Sequence, residues 1–470
     1  MSHGTVSRCS VAVVGGGFSG AAVAYHLLQG AARGASVVLI EPAAEIGCGL
    51  AYATPSASHC LNVPAGRLGL DCEASFSRWL AAQGLAYTAA DFVPRRWLGA
   101  YTGSELARVA AEASSRGVTF CVARETVVRI HRNRPPYRVE LGDGSTWIAD
   151  QVVLATGHLP PAAPLVGGAV AWGDPRMLRD PWRAASLPAL PADSPVLLIG
   201  TGLTAVDVVS QLQDQGHTGT IHLLSRRGLL PQPHRANEAR PPAGLSPLAA
   251  LGEELSLRGM LRAIRGWASA AQAAGDDWRD VMASLRPLTT ELWQRLCVRD
   301  RRQFLRHLQP FWDTHRHRLA PEINSRLRAA IDAGQVLVHA GRVVEITAER
   351  DGRLAVAWRP RGGASTATLV AARVVNCTGP TSRLANARDP LHSSLRDAGV
   401  LAADTLGLGL VVDIHLRPID ASGVPAEGLY YVGPMLKAQC WEAVAVPELR
   451  CHARGVAEHV LAAMWSKAPA

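Results

Sequence analysis

The stretch SVAVVGGGFSGAAVAYHLL, residues 10–28, decides the fold class. Ser10 to Val14 form a nearly continuous apolar run, which is typical of a buried parallel strand. Gly15, Gly17 and Gly20 then give the G-x-G-x-x-G spacing that opens a helix. The first glycine permits a tight turn, the second lets a pyrophosphate approach the helix amides, and the third lets the helix lie close on the strand. The alternative is a glycine-rich turn that joins a strand to a helix without binding a ligand.

The next strand supports the dinucleotide interpretation. Ser36 to Ile40 form a second apolar run, and Glu41 ends it about 20 residues after the last glycine, where an acid can bind ribose hydroxyls. We therefore expect a first dinucleotide site with these residues: Gly15, Gly17, Phe18, Ser19, Gly20 and Glu41.

A second stretch, SPVLLIGTGLTAVDVVSQLQDQGHTGTIHLLSRRG at 194–228, repeats this order. It predicts a strand over Val196–Ile199, a phosphate turn and a strand over Thr220–Leu224. The turn reads G-x-G-x-x-A, and alanine is small enough for its third position. The expected cofactor-binding residues of this turn are Gly200, Gly202, Thr204 and Ala205.

The second site ends in Ser225, Arg226 and Arg227, where an NAD site would usually have an acid. Guanidinium groups pair with phosphate in a forked geometry, so this replacement favours the 2′-phosphate of NADPH. The alternative is a solvated strand end. A chain with one acidic and one basic site suggests FAD first and NADPH second, and hydride transfer through a flavin uses both.

Composition excludes several classes of protein. The 470 residues are 48% apolar, and the formal net charge of +9 is carried mostly by arginine, since Lys437 and Lys467 are the only lysines. This bias does not imply nucleic-acid binding. The nine cysteines include no C-x-x-C pair, which argues against a structural zinc site or a disulfide framework. The start lacks a signal peptide and no apolar run reaches about 20 residues, so we expect a cytoplasmic protein with no membrane contact. The expected assembly is a monomer or a homodimer.

Strand-like segments connect the two sites and carry a resemblance. TFCVARETVVRIHR and PYRVELGDGSTWIADQVVLATGHLP predict a meander with turns at 133–136 and 142–144, ending at Thr156-Gly157. A similar strand, ARVVNCTGP at 372–380, ends at Gly379. This order resembles the two-dinucleotide-binding-domain flavoproteins, which include flavin-containing monooxygenases, Baeyer-Villiger monooxygenases and amino-acid N-hydroxylases.

The sequence is more closely similar to a large bacterial family of FAD/NAD(P)-binding proteins. The similar segments are GCGLAYATPSASHCLNVPAGRLG at 47–69, GTGLTAVD at 200–207, RQFLRHLQPFWDTHRHRLAPE at 302–322 and WEAVAVPELRCHA at 441–453. The resemblance implies an α/β protein with two Rossmann-like dinucleotide-binding domains, for FAD and NADPH, a β-meander and a helical insertion. We expect the FAD domain in two parts, 1–165 and 336–470, and the NADPH domain at 166–335 with the insertion at about 236–335.

Two candidate catalytic residues follow from the resemblance. Asn62 falls where flavin-containing monooxygenases place an asparagine near the oxygenated C4a of the flavin, although asparagine is also common in turns before proline. His59 could donate a hydrogen bond to flavin or substrate, or be structural.

The carboxyl-terminal segment predicts a strand, a glycine turn at Gly433 and a helix that begins near Val446 and Pro447. In related flavoproteins the positive end of this helix faces the flavin pyrimidine. Those relatives often have Gly-Asp where this chain has Gly433-Pro434, which places a carboxylate contact to the ribityl chain in doubt. Trp441 and Glu442 either line the substrate space or pack in the core.

The helical block contains a basic, aromatic stretch with three interpretations. Arg306 and Arg316 could face NADPH or an acidic substrate, or the stretch could be a solvated helix end. The stretch could also bind nucleic acid, but no flanking repeat or basic helix periodicity supports this. His315 and His317 lack the further ligands that a metal site requires. We therefore expect no metal and no nucleic acid.

The function expected from these features is FAD-dependent, NADPH-using monooxygenation of a small organic substrate by O2 through a flavin C4a-(hydro)peroxide. Baeyer-Villiger oxidation and N- or S-oxygenation both remain open, although the F-x-G-x-x-x-H signature of standard Baeyer-Villiger enzymes is lacking. The alternatives are an NAD(P)H oxidase or dehydrogenase without oxygen insertion, and a non-catalytic flavin-binding regulator. A thiol-disulfide reductase is disfavoured because Cys48 and Cys60 form no suitable pair.

Overall fold

The computed structural model describes residues 5–131, 134–164, 167, 172–182, 190–235 and 255–466. The chain forms two compact units. Unit 1 contains residues 1–55, 64–159 and 382–470, and unit 2 contains residues 56–63 and 160–381. The predicted domain boundary at 335/336 differs from this division, because the strand that begins at Val336 pairs with Ile221–Ser225 in the sheet of unit 2.

Unit 1 contains a seven-stranded sheet. Strands β3 (Thr119–Ala123), β2 (Ser36–Ile40), β1 (Val6–Val14) and β6 (Thr146–Leu154) are parallel neighbours in that order. On its other side, β6 pairs in parallel with β14 (Leu429–Tyr431) and antiparallel with β5 (Tyr137–Leu141), which pairs with β4 (Val127–His131). The predicted meander therefore holds for β4–β6, whereas β3 joins the parallel sheet. Position 133 of the predicted turn lies outside the described residues.

The helices of unit 1 cover this sheet because its strands are apolar on both faces. Val11 to Val14 and Val37 to Ile40 are buried. The longest helices are α1 (Phe18–Gly30), α4 (Arg95–Ser115) and α14 (Val446–Trp465), and α1 packs against both others. The shorter ones are α2 (Gly49–Tyr52), α3 (Ser75–Ala82), α12 (Pro390–Asp397) and α13 (Lys437–Cys440), with 3-10 turns at Ala65–Arg67, Leu384–Asn386 and Pro434–Leu436.

Unit 2 repeats the parallel order around its own glycine turn. Strands β7 (Met177–Leu178), β13 (Arg373–Asn376), β8 (Val196–Ile199), β9 (Ile221–Ser225) and β10 (Val336–Ala348) are parallel neighbours. Strands β11 (Leu354–Pro360) and β12 (Ala367–Ala371) extend the sheet antiparallel from β10. The core of unit 2 lies on this sheet, with Leu197, Val356 and Val374 fully buried.

The helices of unit 2 confirm a helical block after the second glycine turn. Helix α5 (Leu203–Asp214) follows that turn. The block contains α6 (Leu257–Ala273), α7 (Trp278–Leu285), α8 (Thr289–Arg295), α9 (Val298–Gln303), a π-helical turn at Phe304–Leu308, α10 (Gln309–Arg316) and α11 (Pro321–Asp332), with a 3-10 turn at Arg286–Leu288. Residues 236–254 of the predicted insertion lie outside the described residues.

Candidate functional site

The first glycine turn in unit 1 has the geometry that its spacing predicts. Gly15 adopts φ +102°, and a Cβ there would overlap the carbonyl oxygen of Ala155 at the end of β6. A Cβ on Gly20 would overlap the Gly15 carbonyl oxygen. At Gly17, the residue before α1, the nearest atom to an added Cβ is the Gly49 Cα at 3.4 Å. Backbone contacts thus require glycine at positions 15 and 20, whereas a Cβ added at Gly17 would reach only van der Waals contact with Gly49. Phe18 is buried and Ser19 half-buried in the first turn of α1.

Glu41 lies directly beside this turn. Its Oε2 accepts a hydrogen bond from the Gly16 N–H at 2.7 Å, and its Oε1 accepts one from the Ala43 N–H at 2.9 Å. Each carboxylate oxygen has a second lone pair. The side chain is therefore oriented by the backbone and keeps acceptor capacity for a ligand hydroxyl.

Thr156 is part of a hydrogen-bond relay within unit 1. The His392 Nε2 lies 2.9 Å from the Thr156 hydroxyl, and the His392 Nδ1 lies 2.8 Å from an oxygen of Asp389. His392 is buried, and Asp389 also accepts the His392 backbone N–H at 2.9 Å as the N-cap of α12. Burial raises the Asp389 pKa, but hydrogen bonding and charge from His392 lower it more, so the carboxyl pKa lies below its ordinary value. The sequence did not reveal His392 because the relay joins positions 236 residues apart.

The second glycine turn in unit 2 is built in the same way. Gly200 adopts φ +124°, and its Cβ would overlap the Cys377 carbonyl oxygen at the end of β13. In the part of the chain that the structure describes, no atom lies within 4 Å of a Cβ added at Gly202, the residue before α5. Ala205 is fully buried at the third position, and Thr204 lies in the same first turn. Among the described residues, no atom lies within 4 Å of a Cβ added at Gly379, nor of one added at Gly157 at the matching place in unit 1.

Ser225 takes the place that Glu41 has in unit 1. The Gly15 N–H bonds to the last carbonyl of β2, and the Gly200 N–H bonds to Leu224, the residue before Ser225. The Ser225 hydroxyl lies 2.9 Å from the Thr201 hydroxyl and accepts the Gly228 N–H at 3.0 Å. A neutral hydroxyl thus replaces the carboxylate at the second turn.

Arg226 and Arg227 follow Ser225 and line a cavity of about 610 Å³ in unit 2. The Arg227 guanidinium lies 5.0 Å from the centre of the Phe311 ring and donates to the His307 carbonyl oxygen at 3.4 Å. Arg306 lines the same cavity, whereas Arg316 is half-buried in α10 and is not among the lining residues. The structure therefore brings three of the four predicted arginines together.

His315 and His317 are engaged within the protein. The His315 ring lies 5.0 Å from the Trp278 ring, and its Nδ1 donates to the Phe311 carbonyl oxygen at 2.8 Å. The backbone N–H of His317 donates to the Asp313 carbonyl oxygen at 2.8 Å. Among the described ranges, no group of three or more His, Cys, Asp or Glu side chains is arranged to hold a metal ion.

The predicted catalytic residues lie in segment 56–63, which belongs to unit 2. His59 is buried, donates from Nε2 to the Asp207 carbonyl oxygen at 3.0 Å and contacts the Trp182 ring at 5.5 Å. Asn62 is half-buried, and its backbone carbonyl accepts a hydrogen bond from the His234 Nε2 at 2.9 Å. Burial and the nearby Arg318 charge lower the His234 pKa to about 3, so this ring is neutral near neutral pH. The sequence had given no sign of His234.

The carboxyl-terminal candidates all lie in unit 1. Gly433 follows β14 with φ +145°, and the helix with Val446 and Pro447 in its first turn begins where the sequence predicts it. Trp441 is buried with φ +49°, and the Lys437 Nζ lies 4.6 Å from its ring centre. Glu442 is buried as well.

Cys48 does not have the environment of a reactive thiol. It is buried in unit 1, and its Sγ donates to a Glu45 carboxylate oxygen at 3.5 Å. Burial, together with that carboxylate, raises the Cys48 pKa to about 11, so the thiol is protonated near neutral pH. A thiolate is the reactive form, and reactive cysteines have a lowered pKa. Cys60 belongs to unit 2.

Comparison with known proteins agrees with this geometry. Residues 12–159 match the family model described as FAD-NAD(P)-binding. A search of the curated proteins found no match. No helix in the part of the chain that the structure describes is both long enough and apolar enough to cross a bilayer.

Solved structures show the same fold over nearly the whole chain. The ornithine N-hydroxylase of Kutzneria sp. 744, in a complex with reduced FAD, NADP+ and L-ornithine, is 16% identical with a TM-score of 0.64, covering 97% of this chain and 100% of that chain. The L-lysine 6-monooxygenase of Pseudomonas syringae is 17% identical with a TM-score of 0.61, covering 97% and 99%. The bacillithiol disulfide reductase of Staphylococcus aureus is 13% identical with a TM-score of 0.54, with the same coverage. The predicted fold, two Rossmann-like units of a flavoprotein, is confirmed.

Proposed function

We propose that this chain, in which residues 12–159 form an FAD-NAD(P)-binding domain, is an FAD-dependent monooxygenase that uses NADPH and O2. The observation that carries the proposal is the pair of glycine turns with matched backbone geometry and different neighbours. An acid, Glu41, lies beside the first turn, whereas Ser225 ends the strand beside the second turn and Arg226 and Arg227 follow it. Two dinucleotide sites in one chain are what hydride transfer from NADPH to FAD requires.

The first turn fits FAD. Gly17, the residue before α1, has no Cβ and would let the diphosphate approach the amino end of the helix, where backbone N–H groups and the helix dipole favour an anion. Glu41 would accept ribose hydroxyls. The further residues that we assign to FAD binding are Gly15, Phe18, Ser19, Gly20, Thr156, Gly157, Gly433, Val446 and Pro447.

The second turn fits NADPH. Its diphosphate would lie at the amino end of α5, where Gly202 leaves open space, and its 2′-phosphate would pair with Arg226 and Arg227. The further residues that we assign to this site are Gly200, Thr204, Ala205, Ser225 and Gly379. Ser225 favours this choice, because a carboxylate there would repel the 2′-phosphate.

Bound FAD would supply hydride acceptance and oxygen activation. The residues of the chain would bind the two cofactors, orient the substrate and keep water away from the reacting atoms. We assign to the Asn62 amide a hydrogen bond that protects the oxygenating site from water, since the His234 contact fixes its backbone. His59 is assigned a positioning role in the same segment, and Trp441, Glu442, Arg306 and Arg316 are assigned to substrate or anion contacts.

Oxygen transfer to a small organic molecule, as a Baeyer-Villiger reaction or as N- or S-oxygenation, is the reaction type that we propose. The fold shared with amino-acid hydroxylases supports it. A disulfide reductase of the same fold is disfavoured because the Cys48 thiol is buried and protonated. The main rival is an NADPH oxidase that releases peroxide without product. A flavin-binding regulator is the third candidate.

A coupled measurement on the purified full chain tests these candidates. NADPH should bleach the yellow flavin absorbance without oxygen, and NADH should do so less efficiently. In air, a panel of amines, thioethers and ketones is screened for oxygenated product and for peroxide formed per NADPH. A monooxygenase forms product and less peroxide with its substrate present. Stoichiometric peroxide with every compound would identify an oxidase, and a flavin that neither nicotinamide reduces would identify a regulator.

A further inference from the structure

The cavity of unit 2 gathers far more positive charge than one phosphate requires. Six arginines line it: Arg226, Arg227, Arg306, Arg342, Arg359 and Arg361. The other lining residues in the described part of the chain are proline, glycine and valine, so none of these described residues brings a carboxylate to the cavity. Its volume of about 610 Å³ is within the usual range of small-molecule sites, about 300–1,000 Å³.

Four of these arginines come from elements other than the end of β9, which Arg226 and Arg227 follow. Arg342 lies on β10, Arg359 on β11 and Arg361 directly after β11. Arg306 lies in the π-helical turn of the helical block. Arg342 and Arg359 are directly opposite each other in the antiparallel pairing, and like charges so placed destabilise a sheet. A bound anion would remove that repulsion.

The charges inside the protein do not balance this group. In the described part of the chain, Arg226, Arg306, Arg342, Arg359 and Arg361 form no ion pair, and Arg227 contacts a carbonyl and a ring. A phosphate monoester carries about −1.5 to −2 at neutral pH. One 2′-phosphate would therefore leave about four positive charges of the cavity without a partner.

We propose that the cavity binds a second ligand that carries two or more phosphate groups, through Arg306, Arg342, Arg359 and Arg361. This inference rests on the proposed function, since it assigns Arg226 and Arg227 to the 2′-phosphate of NADPH. The second ligand is either the part of the substrate that carries the phosphate groups or a free polyphosphate effector. A single-stranded nucleic acid fits less well, because the described lining residues include no aromatic side chain to stack on a base.

Calorimetry with inorganic tripolyphosphate as the probe tests the site on the FAD-loaded full chain saturated with NADP+. The parent should bind tripolyphosphate more tightly than monophosphate, with an affinity that falls as salt is added. Arg342→Gln/Arg359→Gln should weaken binding at least tenfold, roughly the effect of one lost charge-assisted contact. The matched control is Arg350→Gln/Arg353→Gln on the turn of the same hairpin, outside the lining residues, and it should bind like the parent.

A second readout separates this inference from the NADPH assignment. The KM for NADPH should stay within about twofold of the parent in Arg342→Gln/Arg359→Gln and rise in Arg226→Gln/Arg227→Gln. If NADP+ displaces tripolyphosphate and both double variants raise that KM equally, all six arginines serve one dinucleotide and the second ligand is wrong. If tripolyphosphate binds but NADPH does not reduce the flavin, the NADPH assignment fails and the polyanion site stands.

The two sources of the ligand differ in turnover. Tripolyphosphate should change the rate of NADPH oxidation if the cavity takes a free effector. Tripolyphosphate should leave that rate unchanged if the cavity binds the phosphorylated part of a substrate, because the probe lacks the group that reacts. Either result agrees with the proposal, whereas no measurable binding of tripolyphosphate by the parent would overturn it.

Discussion

The two glycine turns of this protein share a backbone plan and differ in what surrounds it. In both, the first glycine has a positive φ, and an added Cβ would overlap a carbonyl oxygen at the end of the neighbouring parallel strand. The third position differs. Gly20 has no room for a Cβ, whereas Ala205 is accommodated in the core. The backbone conformation is therefore common to both turns, and the side chains around each turn determine which ligand it would bind.

A second difference concerns the threonine at the end of each strand beside a turn. The Thr156 hydroxyl bonds to His392 and through it to Asp389, a carboxyl whose pKa the contact with His392 lowers. The Thr378 hydroxyl donates instead to the side-chain oxygen of Asn376 at 2.7 Å, and an amide does not titrate. The two turns should consequently respond differently to acid.

Gly20→Ala should have the largest effect. Its Cβ would meet backbone, which cannot move aside as a side chain can, so we expect a loss of at least about 3 kcal/mol in the free energy of unfolding. The measurement is soluble yield, unfolding midpoint and FAD content. The control is Gly455→Ala in α14, where no described atom lies within 4 Å of the added Cβ and alanine should stabilise the helix by about 0.5–1 kcal/mol. A folded Gly20→Ala with full FAD would refute the packing argument.

Arg226→Ala/Arg227→Ala tests the ligand of the second turn. Loss of charge-assisted hydrogen bonds worth about 1.5–3 kcal/mol should raise the KM for NADPH roughly 10- to 100-fold. The KM for NADH should change little, because NADH has no 2′-phosphate. Steady-state kinetics with both nicotinamides measures this ratio. Equal use of both by the parent chain would contradict the assignment.

Asn62→Ala tests the proposed protection of the oxygenating site. A lost hydrogen bond worth about 1–3 kcal/mol corresponds to about fivefold to hundredfold more peroxide formed relative to product. Flavin reduction by NADPH should be unchanged. The measurement is peroxide per NADPH consumed in the variant and the parent. Unchanged coupling would leave Asn62 with only the backbone role that its contact with His234 shows.

His392→Asn tests the titratable relay. Leaving Thr156 and Asp389 without this partner should lower the free energy of unfolding by about 1–3 kcal/mol near neutral pH. The Asp389 pKa is lowered in the fold, so its stabilising contribution is present above its unfolded pKa of about 3.9 and disappears as the pH falls towards the folded pKa. Urea unfolding across this range should show a weaker acid dependence in His392→Asn than in the parent.

The matched comparison for this relay is Asn376→Ala in unit 2. It removes the partner of Thr378 without removing a titratable group, so stability should fall while the acid dependence stays that of the parent. A parent-like acid dependence in His392→Asn as well would show that Asp389 does not need the histidine.

The sequence predicts the local parts of this structure well. The strands Ser36–Ile40 and Val196–Ile199 lie where their apolar runs place them. The strand predicted at Thr220–Leu224, after the second glycine turn, is shifted by one residue, to Ile221–Ser225. Glycine spacing and apolar runs determine structure over only a few residues, so they can be recognised from the sequence alone.

The parts that the sequence did not reveal depend on distant pairing. Val336–Ala348 belongs to the sheet of unit 2 because it pairs with β9. The helical block ends just before this strand, and that end is what led to the predicted domain boundary at 335/336. His392 reaches Thr156 across the chain, and Arg342 lies opposite Arg359 only through strand register. Such contacts have no local pattern, which is why the relay and the arginine cavity became visible only in the folded chain.

The central claim is that the first turn binds FAD and the second binds NADPH, and one matched pair of variants tests it directly. Gly17→Ala and Gly202→Ala add the same methyl group at equivalent positions without a backbone clash. FAD content and the KM for NADPH are measured on both purified proteins. The account predicts that Gly17→Ala loses FAD, whereas Gly202→Ala keeps FAD and has a raised KM for NADPH. Loss of FAD in Gly202→Ala, or full FAD with a raised KM in Gly17→Ala, would contradict it.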